Sequence, residues 1–507
     1  PPAPLMAAHA GPAGAALRRW TLGSLGLALA ARLLAGPLPL NYYDIGYALV
    51  WGREIIHGHL PAYQTPGAST PHPLGTLLAT GAAVFGTPGS WYAVEAIIFL
   101  SFGVAGAALF ALTRACLRRA LPETAARSRA PEAAGALAVG ALLLSPPFLT
   151  DALGGSGLSD LPAAALVLAA AALAAERPDR DHAPLVLLGL AGLMRPEAWG
   201  LAAAYWLYLA HRRPPLAKLL QSALLVAAAP VLWALADLVV VGDPTYSLTH
   251  TQAASHTGMF AHGLGQVPRA TLRGLRALTG LPVLLIGGVG AAAALVLARR
   301  ATAAPLALLA LALGEFAALG AADVPLLERF LLVPAALICL FFALLLLGGH
   351  QAIRDRIGPG SPWAGRAWAG LSVLVVLYVA ATHLRGDVRV RSDQRAAVHA
   401  QADLVSLAAR PDVRRALRRC PPLYVPRFTL TSLAAVDFDL PPQTILRTAA
   451  RPPATGLILV PATGDAGRYF GLTGARLRAL RLITARPARP VEQNRSWRLL
   501  ARGCPAP

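Results

Sequence analysis

Apolar runs of close to twenty residues recur through the first three-quarters of this chain, and no other feature limits its possible folds so tightly. The clearest cover residues 20–40, 91–113, 133–150, 160–176, 219–241, 281–298, 303–320, 328–348 and 368–384, with two shorter runs at 183–194 and 197–210. At about 1.5 Å of rise per residue, such a run makes a helix matching a hydrocarbon core of roughly 30 Å. In lipid, a helix is also the way for one segment to satisfy its own backbone polar groups. Charged residues make up only 14% of the chain, against about 25% in soluble domains. The expected fold class is an all-α polytopic membrane protein of about eleven transmembrane helices, followed by a small α/β C-terminal domain.

The formal charge is +20 and almost all of it is arginine, Lys218 being the single lysine. Basic residues in short loops set membrane orientation. They occupy 114–132, 177–182, 211–218, 299–302 and 349–367; putting these in the cytoplasm leaves 41–90, 151–159, 242–280 and 321–327 outside. Parity then decides two ambiguous segments. Residues 74–86 are too short to span and read as a re-entrant or surface helix, while 183–210 must be a hairpin turning near Arg195-Pro196-Glu197. Arg18 and Arg19 precede the first run, which reads as a retained helix because no A-x-A cleavage site follows.

By the same count the division is 1–384, a multi-pass domain, and 385–507, an extracytoplasmic α/β domain. The latter opens with a polar helical stretch, Ser392 to Arg419, and shows strand-like runs at Leu423–Phe428, Gly456–Val460 and Trp497–Ala501 between Pro/Gly turns. It holds 21 arginines against eight acidic residues, an excess of 13. The arginines are not gathered with aromatics on one face, so no nucleic-acid partner is expected. Cys116, Cys339, Cys420 and Cys504 lack metal-ligand spacing, and outside the cytoplasm Cys420 and Cys504 are free to pair.

Ionisable groups bordering apolar spans are costly unless paired or hydrated, so they mark candidate sites. Asn41-Tyr42-Tyr43-Asp44-Ile45-Gly46-Tyr47 follows directly on the first run, and Trp51, Gly58-His59-Leu60-Pro61-Ala62-Tyr63 and Thr70-Pro71-His72-Pro73 complete the loop. Asp44 reads as a catalytic carboxylate, as a helix N-cap, or as half of a salt bridge with Arg53. Tyr43, Tyr47, Trp51 and Tyr63 suit a sugar-stacking wall or an interfacial aromatic belt. His57, His59 and His72 form no convincing metal cage; a divalent metal is possible but not favoured. Arg195 and Arg329 offer two-pronged phosphate binding, the alternative being pairs with adjacent Glu197 and Glu328. Arg32, inside the first run, needs a carboxylate, a carbonyl or cavity water. His250 lies in a hydroxyl-rich outer loop beginning Gly242-Asp243-Pro244. Asp151 and Asp160 flank Gly154-Gly155-Ser156-Gly157, which lacks the GK[ST] of a phosphate loop.

Together Tyr43-Asp44, Gly58–Tyr63, His72-Pro73-Leu74, Leu193-Met194-Arg195-Pro196-Glu197, Gly242-Asp243-Pro244 and Glu328-Arg329-Phe330 form an ordered pattern over most of the first 350 residues. The pattern resembles the GT-C superfamily of membrane glycosyltransferases, in particular the polyprenyl-phosphate-mannose-dependent, protein mannosyltransferase-like branch of actinobacteria. The resemblance implies an inverting transferase of the bacterial cytoplasmic membrane with its site on the outer face. It would take a sugar, mannose being one candidate, from a polyprenyl-phosphate donor to a glycan, glycolipid or protein acceptor, without a cofactor. It assigns the base to Asp44, though many relatives carry two adjacent acids where this chain has Asp44-Ile45.

The chemistry is compatible with one carboxylate. A lipid phosphate is already a good leaving group, so no second acid is needed to protonate it, unlike in a glycosidase. Asp44 as base, with Arg329 and Arg195 stabilising charge on the phosphate, forms a sufficient set. Tyr43, Tyr47, Trp51, His59, Tyr63, His72 and His250 are the candidate substrate-binding residues. The rival class is a transporter or flippase of a lipid-linked or anionic substrate, which would favour inverted repeats not seen here. A third is a non-catalytic assembly protein that keeps the fold.

Overall fold

A computed structural model of the chain describes residues 12–39, 43–65, 67–121, 128–145, 157–176, 182–255, 261–357, 362–448, 454–470, 472, 478, 480 and 488–504. Asn41, Tyr42, Asp151, the Gly154-Gly155-Ser156 segment and His256 lie outside the described residues. Among those described, six helices are long and apolar enough to cross a bilayer: Gly86–Ala120, Leu158–Glu176, Leu216–Val241, Ala303–Ala321, Glu328–Gly349 and Trp363–Ala408. Leu264–Thr279 and Leu281–Leu297, bent by 112°, make a seventh if they form one broken span. The chain therefore has the build of a helical membrane protein. The larger count expected from the sequence also enlists Pro12–Ala35, with its three arginines, and helices of 11 to 15 residues.

The first elements are α1 (Pro12–Ala35), α2 (Tyr43–Ile56), α3 (Pro73–Ala83) and α4 (Gly86–Ala120). α1 packs along α4, and Arg32 within it pairs with Glu95 of α4 at 3.3 Å. This accounts for a charge in an apolar run without recourse to a site. α3 is the short helix expected before the second long run. After α5 (Ala130–Leu143) and α6 (Gly157–Glu176) come α7 (His182–Gly192) and α8 (Glu197–His211). Their neighbour α9 (Leu216–Val241) shows them to be antiparallel. Gly189 and Gly192 of α7 lie beside Leu225 and Ala229 in the same order, whereas Trp199 of α8 meets Trp233 and the Trp206 indole donates to the Leu219 carbonyl at 3.3 Å. The hairpin turns at residues 193–196.

The chain continues through α10 (Tyr246–Ser255), α11 (Val267–Thr279), α12 (Leu281–Leu297) and α13 (Ala303–Ala321) to a 3-10 turn, Glu328–Leu331, that leads into α14 (Leu332–Ile357). α14 is the core of the bundle. Residues 335–343 are at most 5% exposed, as expected of a helix that is apolar on every side. It touches α4, α5, α6, α12, α13 and α15 (Pro362–Ala408).

α15 runs unbroken through the boundary expected at 384/385 and carries the chain into the tail. There α16 (Pro411–Arg419), α17 (Thr429–Phe438) and α18 (Gly464–Tyr469) accompany a five-stranded sheet. Its strands are β1 (Leu423–Val425), β2 (Ile445–Arg447), β3 (Gly456–Pro461), β4 (Arg489–Gln493) and β5 (Trp497–Arg502), in the order β2-β1-β3-β5-β4. β1 is parallel to β2 and β3, and β5 is antiparallel to β3 and β4. The three strand-like runs seen in the sequence all fall on strands. A Cys420–Cys504 disulfide joins the two ends of this unit across 84 residues, as their position had suggested.

The tail sits directly on α2. Ser432 of α17 donates its hydroxyl to the Tyr43 carbonyl at 2.9 Å, and a Cβ on Gly46 would lie 2.5 Å from the Ser432 hydroxyl oxygen. On its other side Gly52 admits α3, since a Cβ there would come within 2.8 Å of the Ala79 backbone. Two glycines thus let α2 be gripped from both sides. Arg53 pairs with Asp439 at 3.2 Å, so the Asp44–Arg53 pairing left open by the sequence is not the one formed.

The Trp91 indole of α4 donates to Asp437 at 2.9 Å. Burial pushes the Asp437 carboxyl up to about 7, although the Trp91 bond and the Arg53 charge oppose the rise. The unfolded chain, with an ordinary carboxyl, loses this proton at lower pH than the folded one. Stability should therefore fall as pH rises from about 4 to 7, by at most about 1.4 kcal/mol per pH unit. Thermal unfolding in detergent should show wild type losing ground to Asp437→Asn between pH 5 and 8; parallel pH profiles would show that Asp437 does not titrate in this range.

Candidate functional site

Helix starts bring the site together. Asp44 lies in the first turn of α2, Asp160 in the first turn of α6, and Glu197 opens α8. A carboxylate is stabilised at a helix N-terminus by the exposed N–H groups and the helix dipole, so each helix favours an acid at that position. The fold turns these three starts toward two arginines. Arg329, on the 3-10 turn before α14, donates to Asp44 at 2.8 Å and lies 3.5 Å from Asp160. Arg195, at the α7–α8 turn, pairs with Asp160 at 2.9 Å and Glu197 at 2.5 Å. Its guanidinium also lies over the Phe330 ring, 3.9 Å from the centroid.

Asp160 is the hub. Its side chain is 2% exposed and touches both guanidiniums. Three carboxylates thus face two cations in a continuous chain, Asp44–Arg329–Asp160–Arg195–Glu197, and the positive ends of three helices offset the extra negative charge. Removing a central member would leave buried charge without a counterpart.

Four members of this chain, Asp44, Arg329, Arg195 and Glu197, line a cavity of about 1300 Å³, with Asp160 buried behind them. Tyr43, Asp44, His72, Arg195 and Arg329 line it, so five of the ten residues picked from the sequence meet at one place. The Asp44 charge, with burial and a hydrogen bond to Asp44, raises the Tyr43 phenol and keeps it protonated. Burial, reinforced by the Arg195 and Arg329 charges, holds His72 well below the usual histidine range, so its ring is neutral at pH 7. His72 Nδ1 has no hydrogen-bond partner among the described residues.

The other five residues lie elsewhere. Tyr47, Trp51 and Tyr63 pack on one another, with ring centroids 5.8 and 4.7 Å apart, in a buried cluster behind the cavity wall. Their bulk stiffens α2 instead of presenting a stacking face. His250 is stacked on Tyr246 and bonded to the Ala68 carbonyl at 3.0 Å. His59 is exposed past the end of α2. Among the described residues no group of three His, Cys, Asp or Glu side chains is placed to hold a metal ion.

Some residues escaped the sequence reading. Asp160 was visible only as the edge of a glycine-rich loop, although an acid at the start of an apolar helix is a recognisable signal. Glu315 of α13 lines the cavity, and its Oε1 is buried without a hydrogen-bond partner among the described residues. A lone carboxylate inside an apolar run should have drawn attention. The tail adds Asp393, Gln394, Arg427, Phe428, Thr429 and Phe470 to the cavity lining, and no local pattern marks these. No protein-family model matches the chain, and no curated protein matches it.

Proposed function

We propose that this chain is an inverting membrane glycosyltransferase that moves a sugar from a polyprenyl phosphate to an acceptor hydroxyl. In this reading the chain crosses the bacterial cytoplasmic membrane about eleven times, and the cavity and residues 385–507 face outward. The observation that carries it is the Asp44–Arg329 pair in the wall of a cavity of about 1300 Å³. A carboxylate and a guanidinium sharing one wall supply a base and a phosphate-binding cation, which suffice for transfer from a lipid phosphate.

Each part has one task. Asp44 accepts the proton as the acceptor oxygen bonds to the anomeric carbon. The bond from that carbon to the phosphate oxygen breaks, and the phosphate leaves with the electron pair. Arg329 receives the growing charge on the phosphate. Because Arg329 already bonds Asp44 through Nη1, a phosphate on another edge of the guanidinium would be two hydrogen bonds from the carboxylate. That spacing suits a sugar ring attacked on one face and released from the other. Arg195, committed to Asp160 and Glu197, acts here as a support for Arg329 and not as a second phosphate clamp. The cavity's apolar flank, with Ala318, Leu319 and Ala322 at the end of α13 and Leu248 of α10, suits the first isoprene units of the donor.

The test is transfer of radiolabelled sugar from a polyprenyl phosphate by purified protein in nanodiscs. Arg329→Ala should raise the donor KM and lower turnover, whereas Arg329→Lys, which keeps the charge and loses the fork, should be less impaired. If Arg329→Ala folds and leaves both constants unchanged, the arginine binds no phosphate.

A further inference from the structure

The part of the cavity wall that belongs to the tail contains hydrogen-bonding groups with no partner among the described residues. Gln394 of α15 is 6% exposed, lines the cavity, and its Nε2 has no hydrogen-bond partner among the described residues. A buried amide left unsatisfied is costly. The Thr429 hydroxyl, buried in the same wall, is also without a partner among the described residues. Arg427, Phe428 and Phe470 line the cavity as well. The Arg427 Nη1 donates to the Phe470 carbonyl at 2.8 Å, and the Phe428 ring meets Tyr43 edge-on at 5.4 Å. Tyr43 is the residue before Asp44, so this wall touches the proposed base through a single aromatic contact.

An amide, a hydroxyl and a guanidinium beside aromatic faces provide planar hydrogen bonding and apolar stacking together. That combination matches a polyhydroxylated ring: hydroxyls take the polar groups and the C–H face lies on an aromatic ring. It matches an extended peptide poorly, because no residue of a described strand lines the cavity for such a peptide to pair with.

We propose that Gln394, Arg427, Phe428 and Thr429 form the acceptor subsite, and that the acceptor is a saccharide. This deepens the transferase reading and rests on it for the word acceptor. The saccharide-binding claim stands separately. A glycan lying on the tail wall would present a hydroxyl toward Asp44, while the donor approaches from the α10 and α13 flank. The tail is then part of the site, which explains why α17 is fixed so closely to α2.

The experiment uses the full-length protein in nanodiscs with linear manno-, gluco- and arabino-oligosaccharides as probes and a serine/threonine-containing peptide as the contrasting probe. Binding is read by saturation-transfer NMR. At least one saccharide should bind wild type, and Gln394→Ala should weaken that binding about tenfold, as loss of a buried hydrogen-bonding group does. Thr429→Val, which keeps the side-chain shape, and Phe428→Leu, which removes the aromatic face but stays apolar, should also weaken it and guard against a misfolded alanine variant. The proposal is overturned if none of the saccharides binds wild type, if the variants bind them as well as wild type does, or if the peptide binds and is lost in their place. Wild type that binds a saccharide but processes no polyprenyl-phosphate sugar would defeat the transferase reading and leave the saccharide site intact.

Discussion

Asp44→Asn is expected to lower sugar transfer by about 10²–10⁴-fold, the range for loss of a positioned general base. The replacement keeps the side-chain shape and can still accept a hydrogen bond from Arg329 Nη1, which now bonds the carboxylate at 2.8 Å. Folding and donor binding should therefore survive. Asp44→Glu restores the charge but advances it by one methylene into the guanidinium, and should recover little because attack geometry tolerates small displacements poorly. Transfer and donor binding, measured side by side in nanodiscs, separate the outcomes. Near-normal transfer by Asp44→Asn would return Asp44 to the role of helix cap and ion-pair partner.

Asp160→Ala should have the largest effect on stability. The carboxylate is 2% exposed and lies 2.9 Å from one guanidinium and 3.5 Å from another. Its removal leaves two buried cations facing each other with Asp44 and Glu197 only at the ends. Breaking a buried ion pair costs about 3–5 kcal/mol, so the melting temperature in detergent should drop clearly. Asp160→Asn keeps the volume and one acceptor and should lie between Asp160→Ala and wild type. Because Asp160 positions Arg329 and does not meet substrate, its Asn variant should raise the donor KM more than it lowers turnover at saturation. Unchanged melting together with unchanged donor KM would mean that the arginines hold their places without it.

How far the sequence could be read depended on whether a signal was local. Apolar run length located the long helices, and the parity of basic loops located the α7–α8 hairpin, because both depend on neighbouring residues. The strands of the tail followed similarly from the turn residues that flank them. Asp44, Arg195 and Arg329 were visible as charges at the ends of apolar runs, where the energetic cost makes each one informative.

What was hidden is tertiary. Asp160 and Arg329 are 169 positions apart, and only the packing of α6 against α14 makes one the counterion of the other. Tyr47, Trp51 and Tyr63 looked like a binding wall because aromatic composition is the same whether rings face a cavity or each other. The tail's Gln394 and Thr429 carry no pattern at all; their significance comes from having buried polar atoms without partners among the described residues, beside a cavity lined mainly by residues of the helical bundle.

The central claim is transfer with inversion, and the product's anomeric configuration tests it most directly. Purified protein should be given a polyprenyl-phosphate sugar of defined anomeric configuration with the saccharide acceptor it binds, and the new glycosidic linkage read by NMR. A single direct displacement at the Asp44–Arg329 wall predicts a product of the opposite configuration, formed by wild type and not by Asp44→Asn. A product that retains the donor's configuration, or equal product from both proteins, would contradict it.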